Sequence, residues 1–311
     1  MNIFDLAVAW NWEFDEDFVK GVERECHRRG LSTFQVTTHN LRGVLDQLNH
    51  GEIDFRALYD RASDADDAFL PLVEALDSPA VRVINPLRYV VHAIDKATMH
   101  LEFITRGLYV PMTIILSPFN RNHRMEIGPE DLKKLGVPFV IKPANTTGGG
   151  TGVVLNARTI EDVQTARQVH ADDKYLLQEF IRPKNCDGKR AWFRAYSVFG
   201  EFIPCWWDDQ THEYSELTAA DEQRYNLSGL RDVMKTIYEI CKLDFFSSEV
   251  AYTNDGKFIV VDYVNEICDM RFKSKYHNGA PDHVVHRIES LIATELERSL
   301  MKTDYSSKIR Q

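Results

Sequence analysis

Apolar and polar positions along the first 85 residues follow two alternating periods. Apolar runs of strand length at residues 4–10 and 55–59 are separated by a segment, residues 15–29, whose apolar side chains recur at helical spacing. Further strands are predicted at residues 33–37 and 81–84, and further helices at residues 41–48 and 66–76. Strands that alternate with helices predict a parallel sheet covered by helices.

The remaining chain predicts two units with a different order of elements. In the first, strands are predicted at residues 111–116, 138–142, 153–155 and 175–181, and helices at residues 95–106, 129–135 and 159–169. In the second, strands are predicted at residues 191–198, 201–207, 247–252 and 257–264, and helices at residues 229–241 and 282–300. Asn254-Asp255-Gly256 between two β-rich runs is a strong hairpin signal.

These patterns predict three domains of mixed α/β and α+β class. Residues 1–88 form a βαβ N-terminal domain that contacts substrate. Residues 89–183 form a central α+β lobe with an antiparallel sheet and a glycine-rich lid, and residues 184–311 form a C-terminal α+β lobe that ends in a helix.

Composition and charge narrow the classes of function. The 311 residues carry a formal net charge of -10, which argues against a protein that binds nucleic acid through a basic face. No run of about 18 apolar residues occurs, so no membrane-spanning segment is expected, and residues 1–12 lack the cationic start of a secretory signal. Five widely spaced cysteines without a CxxC pair favour free thiols and a cytoplasmic location.

A glycine-rich segment follows a predicted strand of the second unit. The segment IKPANTTGGGTGVV contains Gly148, Gly149, Gly150 and Gly152. Backbone N–H groups there could converge on an anion, and Lys142 on the preceding strand could add a positive charge. The segment lacks the Lys-Ser/Thr ending of a P-loop and the last glycine of the dinucleotide fingerprint. Two interpretations stay open here: a mobile lid over phosphates, or a flexible hairpin tip.

Two carboxylates flank the predicted hairpin turn in otherwise apolar strands. Glu249 and Asp262 stand at comparable distances from the turn, so they should approach each other across the ladder. Paired acids repel each other unless a cation neutralises them, and Mg²⁺ prefers such oxygen ligands together with nucleotide phosphates. Asn265 could supply a neutral oxygen. The other interpretation is a pair of solvent-facing strand residues.

The strand predicted at residues 175–181 ends with a polar pair. Gln178 and Glu179, beside apolar residues, could hydrogen-bond the edge of an adenine base, and Asp187 could reach ribose hydroxyls. A plain edge strand is the other interpretation of this weak signal.

Several cations stand at positions where an anionic ligand could bind: Lys96, Arg190, Arg194, Arg271, Lys273 and Lys275. Any single one is typical of a solvated surface. Arg194, however, lies in an otherwise apolar strand and needs a partner, and Arg271 follows the acid-bearing strand on a short loop. Both could hold a transferring phosphoryl group or a substrate carboxylate.

In chain order, these motifs resemble the ATP-grasp superfamily. Asn85-Pro86 is followed by Asp95-Lys96, then by GLYVPMT at residues 107–113, by IKP with the glycine loop, and by LLQEF. The arginine strand ending in Phe199-Gly200-Glu201 comes next, and then SSEVAYTNDGKFIVVDYVNE. The resemblance covers about residues 85–275, and the predicted βαβ unit fits the domain that precedes the ATP-grasp fold.

The resemblance implies ATP with Mg²⁺ or Mn²⁺ as the bound cofactors. Phosphate contacts would come from Lys96, Lys142 and a closing loop that includes Thr147, Gly148, Gly149, Gly150 and Thr151. Adenine would be bound by Gln178, Glu179, Phe180 and Ile181, and ribose by Asp187. One or two metal ions would be held by Glu249, Asp262 and Asn265, and the catalytic cations would be Arg194 and Arg271.

One spacing departs from the family's pattern. The family usually separates its second metal carboxylate from the asparagine by one residue, whereas two residues stand between Asp262 and Asn265. On a regular strand those side chains would face opposite sides. A β-bulge near Tyr263 would bring them together. Otherwise Glu266 or Asp269 would complete the metal site.

The resemblance implies an ATP-dependent ligase that joins a carboxylate to an amine, or to a thiol, through an acyl phosphate and releases ADP and phosphate. A small-molecule kinase on the same fold and a catalytically silent ATP-binding protein are the alternatives. The expected partners are small-molecule carboxylates and amines, among them amino acids or peptides. A homodimer is a further expectation, because relatives commonly dimerise.

Three segments offer hints about the substrate. Tyr59-Asp60-Arg61 at a strand end and the basic loop at residues 271–275 favour an anionic or amino-acid-like molecule. Residues 205–209, with the sequence CWWDD, either line an acceptor pocket or pack into the core.

Overall fold

The computed structural model describes residues 1–125, 127–146 and 150–309, with residues 303–309 described by backbone alone. Its first unit comprises β1 (Asn2–Phe4), β2 (Leu6–Trp10), α1 (Glu16–Arg28), β3 (Thr33–Val36), α2 (Leu41–Asn49), β4 (Ile53–Phe55), β5 (Ala57–Arg61), α3 (Leu70–Leu76) and β6 (Arg82–Ile84). The order β3-β2-β5-β6, parallel throughout, confirms the parallel sheet, and β1 and β4 form a small parallel pair.

Two helices connect this unit to the next: α4 (Leu87–Ile94) and α5 (Lys96–Thr105). The carboxylate of Asp95 accepts hydrogen bonds from the backbone N–H groups of Ala97 and Thr98, which caps the start of α5. Lys96 is therefore the first residue of a helix whose start is fixed. The helix α4 had not been predicted.

The central sheet is antiparallel, as the sequence predicted. Its elements are β7 (Thr113–Leu116), α6 (Pro129–Leu135), β8 (Phe139–Pro143), β9 (Val154–Ala157), α7 (Ile160–Val169) and β10 (Tyr175–Glu179). The strand order is β7-β10-β8-β9. Phe139, Ile141 and Leu177 are buried against Val163 of α7, so the helices cover one face of this sheet.

The third unit contains the longest strands. Its elements are β11 (Asn185–Cys186), β12 (Lys189–Arg190), β13 (Trp192–Val198), β14 (Glu201–Trp207), β15 (Tyr214–Glu216), α8 (Ala219–Tyr225), α9 (Gly229–Cys241), β16 (Phe245–Tyr252), β17 (Phe258–Asn265) and α10 (Asp282–Ile309). The order β15-β14-β13-β16-β17 is antiparallel. The predicted hairpin is confirmed, and Gly256 adopts a φ of 80° in its turn, a conformation that favours glycine.

The five-stranded sheet is covered on both faces. Tyr196 and Val198 of β13 share a core with Val8 of the parallel sheet and Ile288 of α10. Phe193 and Ala195, at the alternate positions of the same strand, share a different core with helices α5 and α9. Alternate strand residues thus enter opposite cores, as a pleated strand requires. The predicted division of the chain at residues 88 and 183 stays a prediction. In the described ranges, no helix is both long enough and apolar enough to cross a membrane.

Candidate functional site

The two hairpin acids lie opposite each other, as their spacing predicted. Glu249 of β16 and Asp262 of β17 are direct cross-strand partners. The register shifts on both sides of this pair, because Ser247 pairs with Asn265 and Val250 pairs with Val260. Each shift adds one extra residue to β17, so a β-bulge stands on either side of Asp262.

The bulge at Tyr263 brings Asp262 and Asn265 together. Asn265 Nδ2 donates a hydrogen bond of 3.0 Å to Asp262 Oδ2, which leaves the amide oxygen of Asn265 available to a cation. Tyr263 and Val264 are both buried in the core formed with helices α5 and α9. A bulge allows two consecutive residues to lie on one side of a strand, so of the two alternatives that the spacing left open the structure has the β-bulge near Tyr263.

The two alternative ligands have partners of their own. Glu266 Oε1 accepts a hydrogen bond of 2.8 Å from Asn85 Nδ2. Burial, together with the charges of Asp60 and other nearby acids, raises the pKa of the Glu266 carboxyl to about 8. The carboxylate of Asp269 accepts hydrogen bonds from the guanidinium of Arg271, one of 2.6 Å from Nη2 and two of 3.0 Å from Nε. Asn265 is therefore the better-placed third oxygen.

Two buried lysines face Asp262. Lys96 Nζ lies 3.9 Å from Asp262 Oδ1, and Lys142 lies on β8 of the central sheet. Burial alone would raise the pKa of the Asp262 carboxyl, but the charges of Lys96 and Lys142 outweigh it and lower that pKa well below its ordinary value. Asp262 is consequently ionised at neutral pH, as a metal ligand must be.

Lys142 is held by the bulged strand itself. Its Nζ donates a hydrogen bond of 2.8 Å to the carbonyl oxygen of Val261 and lies 5.2 Å from the centre of the Tyr263 ring. Burial, reinforced by the charge of Lys96, lowers the pKa of the Lys142 ammonium to about 8, although Asp262 opposes the fall. An ammonium so desolvated is poised to interact strongly with an anion such as phosphate.

Glu249 has a cationic partner on the neighbouring strand. The guanidinium of Arg194 on β13 forms an ion pair with Glu249, and Trp192 Nε1 donates a hydrogen bond of 3.1 Å to the same carboxylate. The ring of Trp207 stacks below the guanidinium at 4.2 Å. Arg194 Nε is buried and has no hydrogen-bond partner within the described ranges. Arg194 thus carries an unused donor beside the acid pair.

This donor set suits a hard divalent cation that is completed by a ligand. Two carboxylates and one amide oxygen, next to two lysines, form the site. In the part of the chain that the structure describes, no three histidine, cysteine, aspartate or glutamate side chains converge to hold a metal alone. Mg²⁺ is usually held by one or two carboxylates plus substrate phosphates, and the residues present fit that pattern.

The residues that precede the glycine loop are held by hydrogen bonds to Asp173. The carboxylate of Asp173 accepts hydrogen bonds from the backbone N–H groups of Asn145 and Thr146, at 2.8 and 3.0 Å. Three of the predicted loop residues, Thr147, Gly148 and Gly149, lie outside the described residues. On the far side, Gly150 and Gly152 have φ values of 80° and 74°, and Thr151 between them is exposed. Only glycine adopts such φ values readily, which explains their presence there.

Comparison with known proteins gives results for structure alone. No protein-family model matches the chain, and no curated protein matches it. The fold is similar to that of D-alanine–D-alanine ligase from Bacillus anthracis complexed with ATP, with a TM-score of 0.65, 15% identity, and 97% of this chain and 99% of that chain covered. It is also similar to a RimK domain ATP-grasp protein from Sphaerobacter thermophilus, with a TM-score of 0.64, 20% identity, and 93% and 98% covered. The chain has the ATP-grasp fold.

A third ATP-grasp neighbour is the macrocyclase MdnC from Microcystis aeruginosa, solved with its precursor peptide MdnA. Its TM-score is 0.63 at 14% identity, and 94% of this chain and 99% of that chain are covered. At such low identity the likeness establishes the fold. The roles of individual residues in this chain are therefore argued from the geometry described above.

Two of the four residues predicted to bind adenine form hydrogen bonds within the chain. Gln178 is buried, and its Nε2 donates to Tyr263 Oη at 2.8 Å and to Thr113 Oγ1 at 3.0 Å. Glu179 Oε1 accepts from the backbone N–H of Met112 at 2.8 Å. Phe180 is partly exposed, and Ile181 packs against the core shared with the parallel sheet. The adenine role of these four residues stays a prediction.

Asp187 lies on the exposed turn between β11 and β12. Its carboxylate accepts a hydrogen bond of 2.8 Å from Tyr225 Oη and forms an ion pair with Arg224. Its backbone has a φ of 52° in that turn. Asp187 thus has partners within the chain, and its ribose role stays a prediction.

The three segments from which the substrate was inferred differ in how far their side chains are buried or paired. Arg61 is buried, and its guanidinium donates to Asp15 at 2.6 and 2.9 Å, so it stabilises the fold and is not placed to bind a substrate. Trp206 and Trp207 are buried, which favours the core-packing interpretation of their segment. Arg271 is paired with Asp269 and surrounded by aromatic rings at 5.4 to 5.7 Å, those of Trp12, Phe14 and Tyr276.

Three residues of the site had not been predicted from the sequence. Asp173 anchors the glycine loop, and His100 and Tyr263 form a buried hydrogen bond of 2.6 Å between His100 Nδ1 and Tyr263 Oη. Tyr263 could have been found from the extra residue in its strand. His100 and Asp173 gave no local signal, because their partners lie far away in the sequence.

Proposed function

We propose that the chain is an ATP-dependent ligase that joins a carboxylate to an amine, or to a thiol, and releases ADP and phosphate. Neighbours of the same fold support the proposal, since they include D-alanine–D-alanine ligase and a peptide macrocyclase. The divalent ion would be Mg²⁺ or Mn²⁺. The carboxylate and amine partners would be small molecules, amino acids or peptides.

One observation carries the proposal: Asp262, Glu249 and Asn265 meet on one face of a hairpin, beside Lys96 and Lys142. The acids would hold a divalent ion, which supplies positive charge to nucleotide phosphates. The lysines would bind phosphate oxygens directly. Both kinds of contact favour the negative charge that ATP brings into an otherwise buried site.

The proposed reaction proceeds in two displacements. A carboxylate oxygen of the substrate attacks the γ-phosphorus of ATP, the bond from that phosphorus to the β-phosphate oxygen breaks, and ADP leaves. The acyl phosphate is then attacked at its carbonyl carbon by the amine. The C–O bond to phosphate breaks, phosphate leaves, and the amine loses a proton. Lys96, Lys142 and Arg194 would orient the phosphoryl group and neutralise its charge.

Arg194 is the residue best placed to face the transferring group. Its guanidinium already lies against Glu249 and Trp207, and its Nε has no hydrogen-bond partner among the residues that the structure describes. Arg271 is exposed to the same degree as Arg194, but its guanidinium is paired with Asp269 and lies beside three aromatic rings. We therefore assign the transition-state role to Arg194 and leave Arg271 as a candidate for contact with the substrate.

Trapping with hydroxylamine tests the proposal. The chain would be incubated with Mg²⁺, ATP and a panel of amino acids and small acids, and both phosphate and hydroxamate would be measured. A ligase gives ADP, phosphate and a hydroxamate with its carboxylate substrate. A phosphorylated product without hydroxamate would show a kinase, and the absence of nucleotide turnover with every acid and amine would contradict both activities.

A further inference from the structure

Tyr263 is the extra residue of the bulge, and its side chain points away from the acid pair. The residue is fully buried, in the core between β17 and the helices α5 and α9. Its carbonyl oxygen accepts a hydrogen bond from Ser248 Oγ on β16, which fixes the bulge from the opposite strand. The side chain therefore has a single defined direction, toward the central sheet.

The hydroxyl group of Tyr263 joins two distant elements. Gln178 Nε2 on β10 donates to it at 2.8 Å, and it lies 2.6 Å from His100 Nδ1 on α5. Burial, reinforced by the charge of Lys142, lowers the pKa of His100 to about 4, so the imidazole is neutral at neutral pH. Because the amide donates, the hydroxyl proton is left to bond the imidazole nitrogen.

The ring of Tyr263 contacts the phosphate-binding side of the site. Lys142 Nζ lies 5.2 Å from the ring centre, within the range of a cation–π interaction. The same ammonium donates to the carbonyl of Val261, at the other bulge. Lys142 and Gln178 lie on adjacent paired strands of the central sheet, β8 and β10. Tyr263 of β17 therefore contacts one proposed nucleotide-binding residue on each of these two strands, Lys142 on β8 and Gln178 on β10.

We propose that Tyr263 is a positioning residue for the nucleotide, which sets Lys142 and Gln178 at a fixed distance from the acid pair. Its ring holds the ammonium of Lys142, and its hydroxyl holds the amide of Gln178. The inference depends on the proposed nucleotide site, and it adds a residue that does not itself touch nucleotide. It also gives a role to the extra residue by which this strand differs from the family's usual spacing.

Two substitutions separate the contributions of ring and hydroxyl. Tyr263→Phe keeps the ring over Lys142 and removes the hydroxyl, while Tyr263→Leu removes both. We expect Tyr263→Phe to raise the Kd for a non-hydrolysable ATP analogue about 3- to 10-fold, because the buried amide of Gln178 loses one of its two hydrogen-bond partners and His100 Nδ1 loses the hydroxyl. Tyr263→Leu should raise it about 3- to 10-fold more. The control is Tyr59→Phe, a buried tyrosine of the parallel sheet that loses the hydrogen bond which Arg61 donates to its hydroxyl.

Binding is measured by calorimetry with Mg²⁺ and again with EDTA. If Tyr263 positions Lys142 and Gln178, Tyr263→Phe should raise the Kd by the same factor in both conditions. The Kd of Tyr59→Phe should stay within about twofold of that of the unsubstituted chain. A loss of affinity that is seen with Mg²⁺ but not with EDTA would overturn the inference, because it would show that the substitution acts only through ion binding by Glu249 and Asp262. Unchanged Kd values in both Tyr263 variants would also overturn it.

The same titrations distinguish failure of the inference from failure of the proposed function. If the unsubstituted chain binds the analogue and the Tyr263 variants bind equally well, only the inference fails. If the unsubstituted chain binds no nucleotide, the proposed function fails and the inference fails with it. If Tyr263→Leu does not fold, Tyr263→Phe still decides the result.

Discussion

Raising the pH should weaken nucleotide binding through Lys142. Burial, reinforced by the charge of Lys96, lowers the pKa of this ammonium from 10.5 to about 8. A folded-state pKa below the ordinary value means that the proton is held less tightly than in an exposed lysine. The positive charge is therefore lost as the pH rises through about 8, well before an exposed lysine would lose it. Phosphate is attracted by the charged form, so affinity should fall over the same range.

The size of the effect follows from the same pKa. If only the ammonium form binds phosphate, the nucleotide Kd at about pH 9 should be about tenfold higher than at about pH 7. The fall of the pKa from 10.5 to about 8 also corresponds to about 3 kcal/mol by which the folded chain disfavours the charge when no ligand is bound. Bound phosphate would offset that energy, because it brings further negative charge to the ammonium.

Calorimetric titration with Mg²⁺ and a non-hydrolysable ATP analogue across this range measures the effect. Lys142→Arg is the matched variant, because a guanidinium keeps its proton throughout. Its affinity is expected to be weaker but nearly independent of pH. A Kd for the unsubstituted chain that does not change, or a Lys142→Arg variant with an equally steep dependence on pH, would refute the role given to Lys142.

Two further predictions concern stability. Gly21→Ala would place a Cβ 1.9 Å from Glu289 Oε1, so we expect the free energy of unfolding to fall by about 1–3 kcal/mol. Gly43 has open space around its helix position, so Gly43→Ala should leave the free energy of unfolding unchanged or raise it by about 1 kcal/mol. Urea denaturation of both variants checks this, and equal stability would contradict it. Arg61→Met leaves the buried carboxylate of Asp15 without its cation, and the expected loss is about 3–5 kcal/mol, measured in the same way. A change below about 1 kcal/mol would show that this ion pair does not stabilise the fold.

Much of the fold was predictable because its signals are local. Alternating strands and helices gave the parallel sheet, and Asn-Asp-Gly gave the hairpin that carries the acids. The pairing of Glu249 with Asp262 followed from counting residues outward from that turn. A bulge at Tyr263 was one of two alternatives that the spacing of Asp262 and Asn265 left open, and the strand register shows it.

Other features depend on contacts between distant segments. The helix α4 has apolar residues at helical spacing, but it directly follows Asn85-Pro86, which indicates a turn. Its packing against α5 and α9 is visible only in the structure. Arg61 looked like a ligand at the end of a strand. Its partner Asp15 lies 46 residues away, and only the fold brings the two together. The sequence likewise did not indicate that Arg271 is paired with Asp269 and lies beside aromatic rings, and its catalytic role stays a prediction.

The direction of side chains was the hardest part of the site to predict. Gln178 was expected to face a base, and the structure directs its amide nitrogen to Tyr263 and Thr113. A strand pattern gives the face on which a residue lies, but it does not say which polar group fills the space opposite. The network of Gln178, Tyr263 and His100 joins three elements that are each distant in sequence.

The dependence of nucleotide affinity on a divalent ion in two hairpin variants tests the central claim most directly. Asp262→Asn removes one of the paired charges, and Asp255→Asn makes the same change at the exposed tip of the same hairpin, where the carboxylate pairs with Lys257. Mg²⁺ should tighten binding of the ATP analogue about tenfold or more in the unsubstituted chain and in Asp255→Asn, and should have little effect in Asp262→Asn. If Asp262→Asn keeps the full gain from Mg²⁺, the acid pair does not hold the ion and the account is wrong.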